Sequence, residues 1–247
     1  MLSTLVVCLL VMGASAFQPP NPHQMKNLAT PIKSDNKPCC SPNSFTYRAT
    51  ETTTSLDHNG DLILDLAHIE GAYDAITEQY SLKLFENFFN STERHIRIIE
   101  DFKKGESYLI LKDEDEELCF VSETEGAFQK DCVPDDAVYL GEASVGDRGL
   151  DVDSWYYASE DQSTHFTKSV EVGMCVPVSS FSRDFDLDTG KEIEIVNIDL
   201  FDFNLGICDR DEYFKPPSSC DEGRALAEPN AKMLKFQARR RKGFFPL

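Results

Sequence analysis

Apolar and polar residues alternate with a period of two through most of this chain, from Ser44 onward. Successive side chains of a β-strand point to opposite faces of a sheet, so this period predicts strands with one buried face. No helical period precedes Asp221, and the sequence therefore predicts an all-β fold. The segments with the clearest alternation are 62–66, 96–102, 108–112, 118–123, 138–145, 152–158, 164–172 and 175–181.

The segment 193–207 changes phase twice. Its apolar residues move from odd to even positions after Ile195 and back to odd positions after Leu200. A change of phase within a strand requires a bulge or a bend, and a long strand with two of them suits a strongly curved sheet around an apolar cavity. Two strands buried on both faces would give the same pattern. The candidate pocket-lining residues are Phe201, Phe203 and Leu205.

The N-terminal residues are expected to lie outside the folded domain. Residues 1–16 (MLSTLVVCLLVMGASA) combine a short apolar run with small residues at Ala14 and Ala16, which is typical of a signal peptide cleaved before Phe17. The run is shorter than the roughly 20 apolar residues that cross a bilayer, and charges interrupt every later one, so we expect no transmembrane segment. Residues 17–37 are rich in Pro, Asn and Lys and predict a flexible leader.

A β domain is predicted over residues 38–220, and a C-terminal region follows over residues 221–247. The first part of this region predicts a short helix that is interrupted at Pro229. Its last part carries a basic run from Arg239 to Lys242. The run fits a convertase cleavage site, a contact for an acidic partner or a solvated tail.

Charge and residue types restrict the function. A net charge of −19 repels nucleic acid and anionic lipid and attracts divalent cations. The sequence argues against an enzyme, because it has no G-x-S-x-G nucleophile elbow, no phosphate-binding glycine loop and only five scattered histidines. Seven cysteines remain after the signal peptide, without a C-x-x-C metal pattern. Disulfides are expected, with one cysteine free or bonded to a second chain.

Two candidate sites follow from residue type alone. Asp184, Asp186 and Asp188 lie in an expected turn, and carboxylates in a flexible loop are ligands that calcium prefers. The alternative is an ordinary turn whose acids face water. Asn90 begins the single N-x-S/T sequon of the chain, after an apolar run, and predicts N-glycosylation at a surface turn.

Four groups of motifs occur in order along the chain: Pro38-Cys39-Cys40-Ser41-Pro42; Gly149-Leu150-x-Val152-x-x-Trp155; Cys175-Val176-Pro177-Val178; and Leu200-Phe201-Asp202-Phe203 through Pro216-Pro217-Ser218-Ser219-Cys220. Together they resemble the ependymin-related family of secreted glycoproteins. The resemblance implies two stacked antiparallel sheets that form a curved half-barrel over a hydrophobic pocket, like a bacterial lipoprotein carrier. It also implies a secreted or lysosomal, dimeric protein associated with calcium binding, cell–matrix adhesion and lipid binding, without established enzymatic activity.

The same resemblance implies two disulfides, Cys39–Cys175 and Cys132–Cys220. Three cysteines are then left over. Cys119 and Cys208 lie in or at the end of strong predicted strands, so we expect them to form the third bond and Cys40 to be the odd thiol.

The expected function is that of a secreted, non-enzymatic, calcium-responsive glycoprotein. It would hold a lipid-like ligand in an apolar pocket and act in cell–matrix adhesion, as a homodimer with a matrix partner such as collagen. The alternative is an acidic structural component of the extracellular matrix that binds no small molecule.

Overall fold

The computed structural model describes residues 37–56, 60–86, 94–112, 117–124, 126–146 and 149–221. Within these ranges the chain forms eleven β-strands, one α-helix of five residues and one 3-10 turn. The strands are β1 (Ser44–Leu56), β2 (Leu62–Asp74), β3 (Gln79–Glu86), β4 (Arg94–Asp101), β5 (Glu106–Lys112), β6 (Glu117–Glu123), β7 (Val138–Val145), β8 (Leu150–Ala158), β9 (Thr164–Glu171), β10 (Pro177–Phe185) and β11 (Glu192–Leu205). The helix α1 is Arg210–Phe214 and the 3-10 turn is Ser218–Cys220.

The strands form one antiparallel sheet in the order β6-β5-β4-β3-β2-β1-β11-β10-β9-β8-β7. The all-β prediction is confirmed. The resemblance implied two stacked sheets, whereas hydrogen bonds here link all eleven strands of the described chain into a single open sheet. Most neighbouring strands are also consecutive in the sequence. The exception is the pair of β1 and β11, which lie side by side at the centre of the sheet.

β1 shows why alternating segments become strands. Phe45, Tyr47 and Ala49 are buried, whereas Arg48 is exposed on the opposite face. We call the face that carries Phe45 the inner face and the opposite one the outer face. Cross-strand partners lie on the same face, so the register extends the inner face through all strands. Its core residues include Tyr47, Ile69, Tyr73, Tyr80, Leu82, Ile98, Leu109, Phe166, Val196 and Ile198.

The connection between β6 and β7 crosses the inner face. We call residues 124–137 the crossing segment, because β6 and β7 are the two edge strands of the sheet. A flat sheet of eleven strands would be about 48 Å wide. The crossing segment could bridge that distance only if it were fully extended. Instead, the segment contains a turn in which the Ala137 amide donates to the Pro134 carbonyl. The sheet must therefore curl, which brings its two edges together.

The phase changes of β11 are partly as predicted. The register against β1 is irregular between Thr46 and Arg48, opposite Asp202, which has a positive φ of 50°. This bulge corresponds to the second predicted phase change. The first prediction was wrong, because the register is regular at Ile195 and Val196, which lie on opposite faces. The other irregularity of β11 lies against β10, where Asp184 and Phe185 pair with Glu194 and Glu192.

The disulfide framework differs from the expected one. Cys39 is bonded to Cys175, as the resemblance implies. The expected bonds Cys132–Cys220 and Cys119–Cys208 do not form, since Cys132 is bonded to Cys40 and Cys119 to Cys220. Cys208 is the free, exposed thiol in place of Cys40. The physical reason is the crossing segment, which carries Cys132 to the N-terminal Cys39-Cys40 pair and leaves Cys220 beside β6.

Several predictions concern residues outside the described ranges: the signal peptide (1–16), almost all of the leader (17–37), the glycosylation site Asn90 and the basic run from Arg239 to Lys242. A short helix does follow the last strand, but it is Arg210–Phe214, ahead of the predicted helical region, most of which also lies outside. Among the described residues, no helix is both long and apolar enough to cross a membrane.

Candidate functional site

A row of aromatic rings runs across the inner face beneath the crossing segment. The ring of Phe203 in β11 stacks on Phe45 at 4.7 Å between centroids, and Phe45 contacts Tyr73 in β2 at 5.0 Å. Tyr73 in turn stacks on Phe128 of the crossing segment at 5.6 Å, and Phe128 meets the edge of Phe102 at 5.5 Å. Offset and edge-on pairs at such distances are favourable beyond the area that they bury. This aromatic row forms a continuous apolar surface on the inner face.

A buried ion pair fixes the crossing segment to the sheet. The ammonium of Lys168, on the inner face of β9, binds the Asp131 carboxylate of the crossing segment, and both side chains are less than 10% exposed. The Ser41 hydroxyl donates to the other carboxylate oxygen at 2.5 Å, and the Asp131 amide donates to the Tyr73 hydroxyl at 3.1 Å. Removing one partner of such a pair would leave a buried charge and destabilise the fold by about 3–5 kcal/mol.

The Cys39-Cys40 segment holds the crossing segment from its other side. The Val133 amide donates to the Cys39 carbonyl at 2.8 Å, and the Ser41 amide donates to the Asp131 carbonyl at 2.7 Å. With the disulfide between Cys40 and Cys132, these bonds form a short two-stranded ribbon. The crossing segment is therefore a fixed part of the inner face.

The phenols of Tyr73 and Tyr157 on the inner face are neutral at physiological pH. Burial raises the pKa of Tyr73 to about 12, against a lowering contribution from its hydrogen bond with the Asp131 amide. Burial likewise raises the pKa of Tyr157, with a further contribution from the charge of Asp131. Trp155, which pairs with Lys168, is buried, and among the described residues its indole N–H has no hydrogen-bond acceptor. This face therefore combines apolar surface and neutral donors with the ion pair of Asp131 and Lys168.

The predicted pocket residues do not share one face. Phe203 is half-buried on the inner face, and Leu205 pairs with Phe45 but is 60% exposed at the end of the aromatic row. Phe201 is 44% exposed on the outer face, because the bulge at Asp202 lies between it and Phe203. The alternation of apolar residues predicted a bulge here but placed it directly after Leu200, one residue too early. Aspartate tolerates positive φ better than most residues, which is the signal that would have placed it.

The polar residues under the crossing segment were missed by the sequence analysis. Asp131 and Lys168 lie 37 positions apart, and Ser41 and Asp131 lie 90 apart. No local pattern marks such pairs. A lysine in the apolar face of a predicted strand, at Lys168 between Phe166 and Val170, was the one available sign.

The calcium candidates occupy a hairpin between β10 and β11. Asp184 lies on the strand, on the same face as its partner Glu194. The carboxylate of Asp186 accepts from the Thr189 amide at 2.7 Å and from its hydroxyl at 2.8 Å, and these bonds lower the pKa of Asp186. Asp188 is exposed. In the described part of the chain, no three His, Cys, Asp or Glu side chains are grouped to hold a metal ion, so calcium binding stays a prediction.

Comparison with known proteins gives a family. The Ependymin family model matches residues 90–220, more than half of the chain. Ependymin-related protein 2 of Haliotis asinina is 31% identical over 150 residues, which cover 56% of this chain and 69% of that protein. Among solved structures, a LolA superfamily protein from Nitrosomonas europaea matches with 12% identity and a TM-score of 0.31, covering 70% of this chain and 90% of that one. A DUF1329 family protein from Desulfovibrio piger matches with 11% identity and a TM-score of 0.24, with the same coverage.

Proposed function

The chain belongs to the ependymin family, and we propose that it is a secreted, non-enzymatic protein that binds a lipid-like apolar ligand against the aromatic row. Ependymins are secreted and generally have no enzymatic activity. The three disulfides among the described residues fit that setting, because disulfides persist in the oxidising conditions outside the cell.

The observation that carries the proposal is the open end of the aromatic row. Its inner rings, Phe45 and Tyr73, are fully buried, but Phe203 is only partly buried and Leu205 is mostly exposed. An apolar chain lying along Leu205 and Phe203 would remove this surface from water. Each buried methylene contributes about 0.8 kcal/mol, so a partly enclosed acyl chain would bind measurably.

The neutral donors of the inner face support a ligand with a polar end. A carboxylate or an ester carbonyl would accept from the unpaired indole N–H of Trp155 if the ligand extended from the aromatic row into the separate cluster of Val133 and Val170, where Trp155 is 2% exposed. The phenols of Tyr73 and Tyr157 add no negative charge that would repel it, because burial keeps them protonated. A fatty acid or a related lipid combines these two properties.

The acidic surface supports the remaining parts of the proposal. A net charge of −19 attracts calcium, and we propose that calcium bound by Asp184, Asp186, Asp188 and neighbouring acids modulates a homodimer that contacts matrix proteins such as collagen. The second candidate function is an acidic structural component of the matrix without a small-molecule ligand. The same charge favours it, whereas the exposed Leu205 and the half-buried Phe203 favour the lipid-binding protein.

Uptake of a fluorescent fatty acid tests the proposal with a matched pair of variants. Phe203→Ala removes the ring nearest the open end and should weaken binding about tenfold. Phe201→Ala removes a phenyl ring two positions away, on the outer face, and should leave binding unchanged. Circular dichroism spectra control for folding of both variants.

Two results would contradict lipid binding against the aromatic row. The folded wild-type protein would take up no fatty acid, or both phenylalanine variants would bind as tightly as the wild type. Extraction of the purified protein followed by mass spectrometry gives an independent check, since a bound lipid should be recovered. Binding to collagen without any recovered lipid would favour the structural matrix component.

A further inference from the structure

Four exposed leucines lie together at one end of the outer face. Leu62, Leu64 and Leu66 alternate along the start of β2 and are 70%, 50% and 46% exposed. Leu56, at the end of β1, is 56% exposed and pairs with Leu62. We call these four residues the leucine patch. The register places all of them on the face opposite Phe45, so they lie away from the aromatic row.

The leucine patch continues across the sheet as a row of uncharged side chains. From Leu66 the same row passes through Thr52 in β1 and Asn197 in β11 to Phe181 in β10, which is 36% exposed. The next row passes through half-buried Ile195 of β11. None of these outward residues is acidic, although the chain carries a net charge of −19. Carboxylates border this surface without lying in the row: Asp199 accepts from the side-chain amide of Asn197 at 2.8 Å, and Arg183, which pairs with Ile195, binds Glu192.

We propose that the leucine patch is the contact between two copies of this chain. This inference rests on the proposed homodimer and assigns its surface. Two strongly acidic molecules repel each other, so they associate most readily where the side chains that face each other are uncharged. In an isologous contact each leucine patch faces the other, which satisfies this condition for both copies at once.

The size of the surface agrees with a second copy as the occupant. The four leucines expose roughly 400 Å² of apolar area, which lies within the range of about 300–600 Å² found for the largest and often functional patch of a monomer. An isologous contact doubles this area, and the flanking Phe181 and Ile195 would bring it to the roughly 1,000 Å² expected of a specific interface. An anionic membrane is disfavoured as the occupant, because the net charge of the chain would be repelled.

Analytical ultracentrifugation of the full mature chain tests the assignment. The background is Cys208→Ser, because an exposed thiol can crosslink two chains without any fitting surface. The test variant is Leu62→Glu with Leu64→Glu, which places two acids in the leucine patch. The control is Ile76→Glu, since Ile76 is also exposed, at 67%, but lies in the turn after β2 at the opposite end of that strand.

The Cys208→Ser protein and the Ile76→Glu control should both be dimeric at micromolar concentration. The double glutamate variant should be monomeric, with a dissociation constant raised at least about a hundredfold. Leu62→Thr with Leu64→Thr keeps residues that favour strands and adds no charge. It should raise the constant by about tenfold, and it serves as the test if the glutamate variant does not fold.

Other outcomes separate the assignment from the homodimer itself. If folded leucine variants dimerise like the wild type, the leucine patch is not the dimer contact, although the protein is still a homodimer. A wild-type protein that is monomeric at all concentrations would overturn both. Loss of the dimer on Cys208→Ser alone would show a covalent dimer and would also overturn the leucine patch.

Discussion

The outer face of the sheet is covered at one place and bare at another. Over β4 to β6 it presents Ile99, Ile110 and Cys119, and these are buried beneath Phe214 of α1. At the start of β2 it presents the leucine patch, which remains exposed. Both regions come from strands with the same alternation of residues. The difference shows that burial of an outer face depends on a covering segment that its own strands do not provide.

Charged side chains of the sheet hold the covering segment in place. The guanidinium of Arg97 donates to the carbonyls of Glu212, Tyr213 and Lys215 at 2.7, 2.9 and 3.2 Å. The Lys83 ammonium binds the Glu212 carboxylate at 2.9 Å. These contacts satisfy carbonyls at the end of a helix of one and a half turns, which would not be stable by itself in water. Side chains of β3 and β4 therefore bind the helix that covers this region of the sheet.

Removing the disulfide of the covered region should have the largest effect. Cys119→Ala with Cys220→Ala opens a loop of 101 residues and should lower the free energy of unfolding by about 4 kcal/mol. Urea denaturation followed by Trp155 fluorescence measures it. Cys208→Ser is the control, because that thiol is free and exposed, and it should change stability by less than about 0.5 kcal/mol. Equal stability of the double variant and the control would show that the bond does not anchor the covering segment.

Removing one phenyl ring from the covered region and one from the bare outer face should give the next largest difference in stability. Phe214→Ala leaves a cavity above the covered face and should destabilise the fold by about 3 kcal/mol. Phe181→Ala removes an equal ring from the bare outer face, and we expect a loss of less than about 0.5 kcal/mol in the dilute monomer. Thermal unfolding of both variants measures the contrast, and similar losses would mean that the two regions are packed alike.

The sequence predicted the strands but not which of their faces are covered. Alternation at Leu62, Leu64 and Leu66 correctly indicated a strand, because the period of two is a property of the backbone. The same alternation at Ile110 gives a buried outer residue, whereas Leu64 is exposed. The position of α1 decides which residue is buried. This helix follows the last strand and is bound by Arg97 of β4. No period along a single strand contains that information.

The candidate site was predictable only where it depended on local backbone geometry. The bulge near Asp202 follows from a change of phase, so the sequence could place Phe203 on the same face as Leu205. Asp131 and Lys168 meet because the crossing segment spans a curled sheet, which depends on the order of all eleven strands. The pairing of Cys40 with Cys132 has the same origin. Contacts of this kind are fixed by topology and leave no signature in either segment.

The ion pair between Arg210 and Asp74 should give the smallest effect, with a definite dependence on pH. Burial alone would raise the pKa of Asp74, but the hydrogen bonds from Arg210 and from the amides of Ile76 and Thr77 outweigh it and lower the pKa. A carboxyl group with a lowered pKa stabilises the folded state above its unfolded pKa of about 3.9 and loses that contribution as the pH falls through the folded value. Asp74→Asn should therefore cost about 1–2 kcal/mol at pH 7, a value discounted because Arg210 is partly exposed.

Unfolding measured between neutral pH and about pH 3 checks this sign. The difference between wild type and Asp74→Asn should shrink with acid, because the wild-type carboxyl then becomes neutral like the amide. Asp202→Asn is the matched control on the bare side, where the carboxylate lies 3.5 Å from the Arg48 guanidinium and both side chains are more than half exposed. That pair should contribute little at any pH, since water screens it. A difference for Asp74→Asn that grows with acid would mean that Arg210 does not stabilise the charged carboxylate, and that Arg97, Lys83 and the packing of Phe214 hold α1 on the sheet without it.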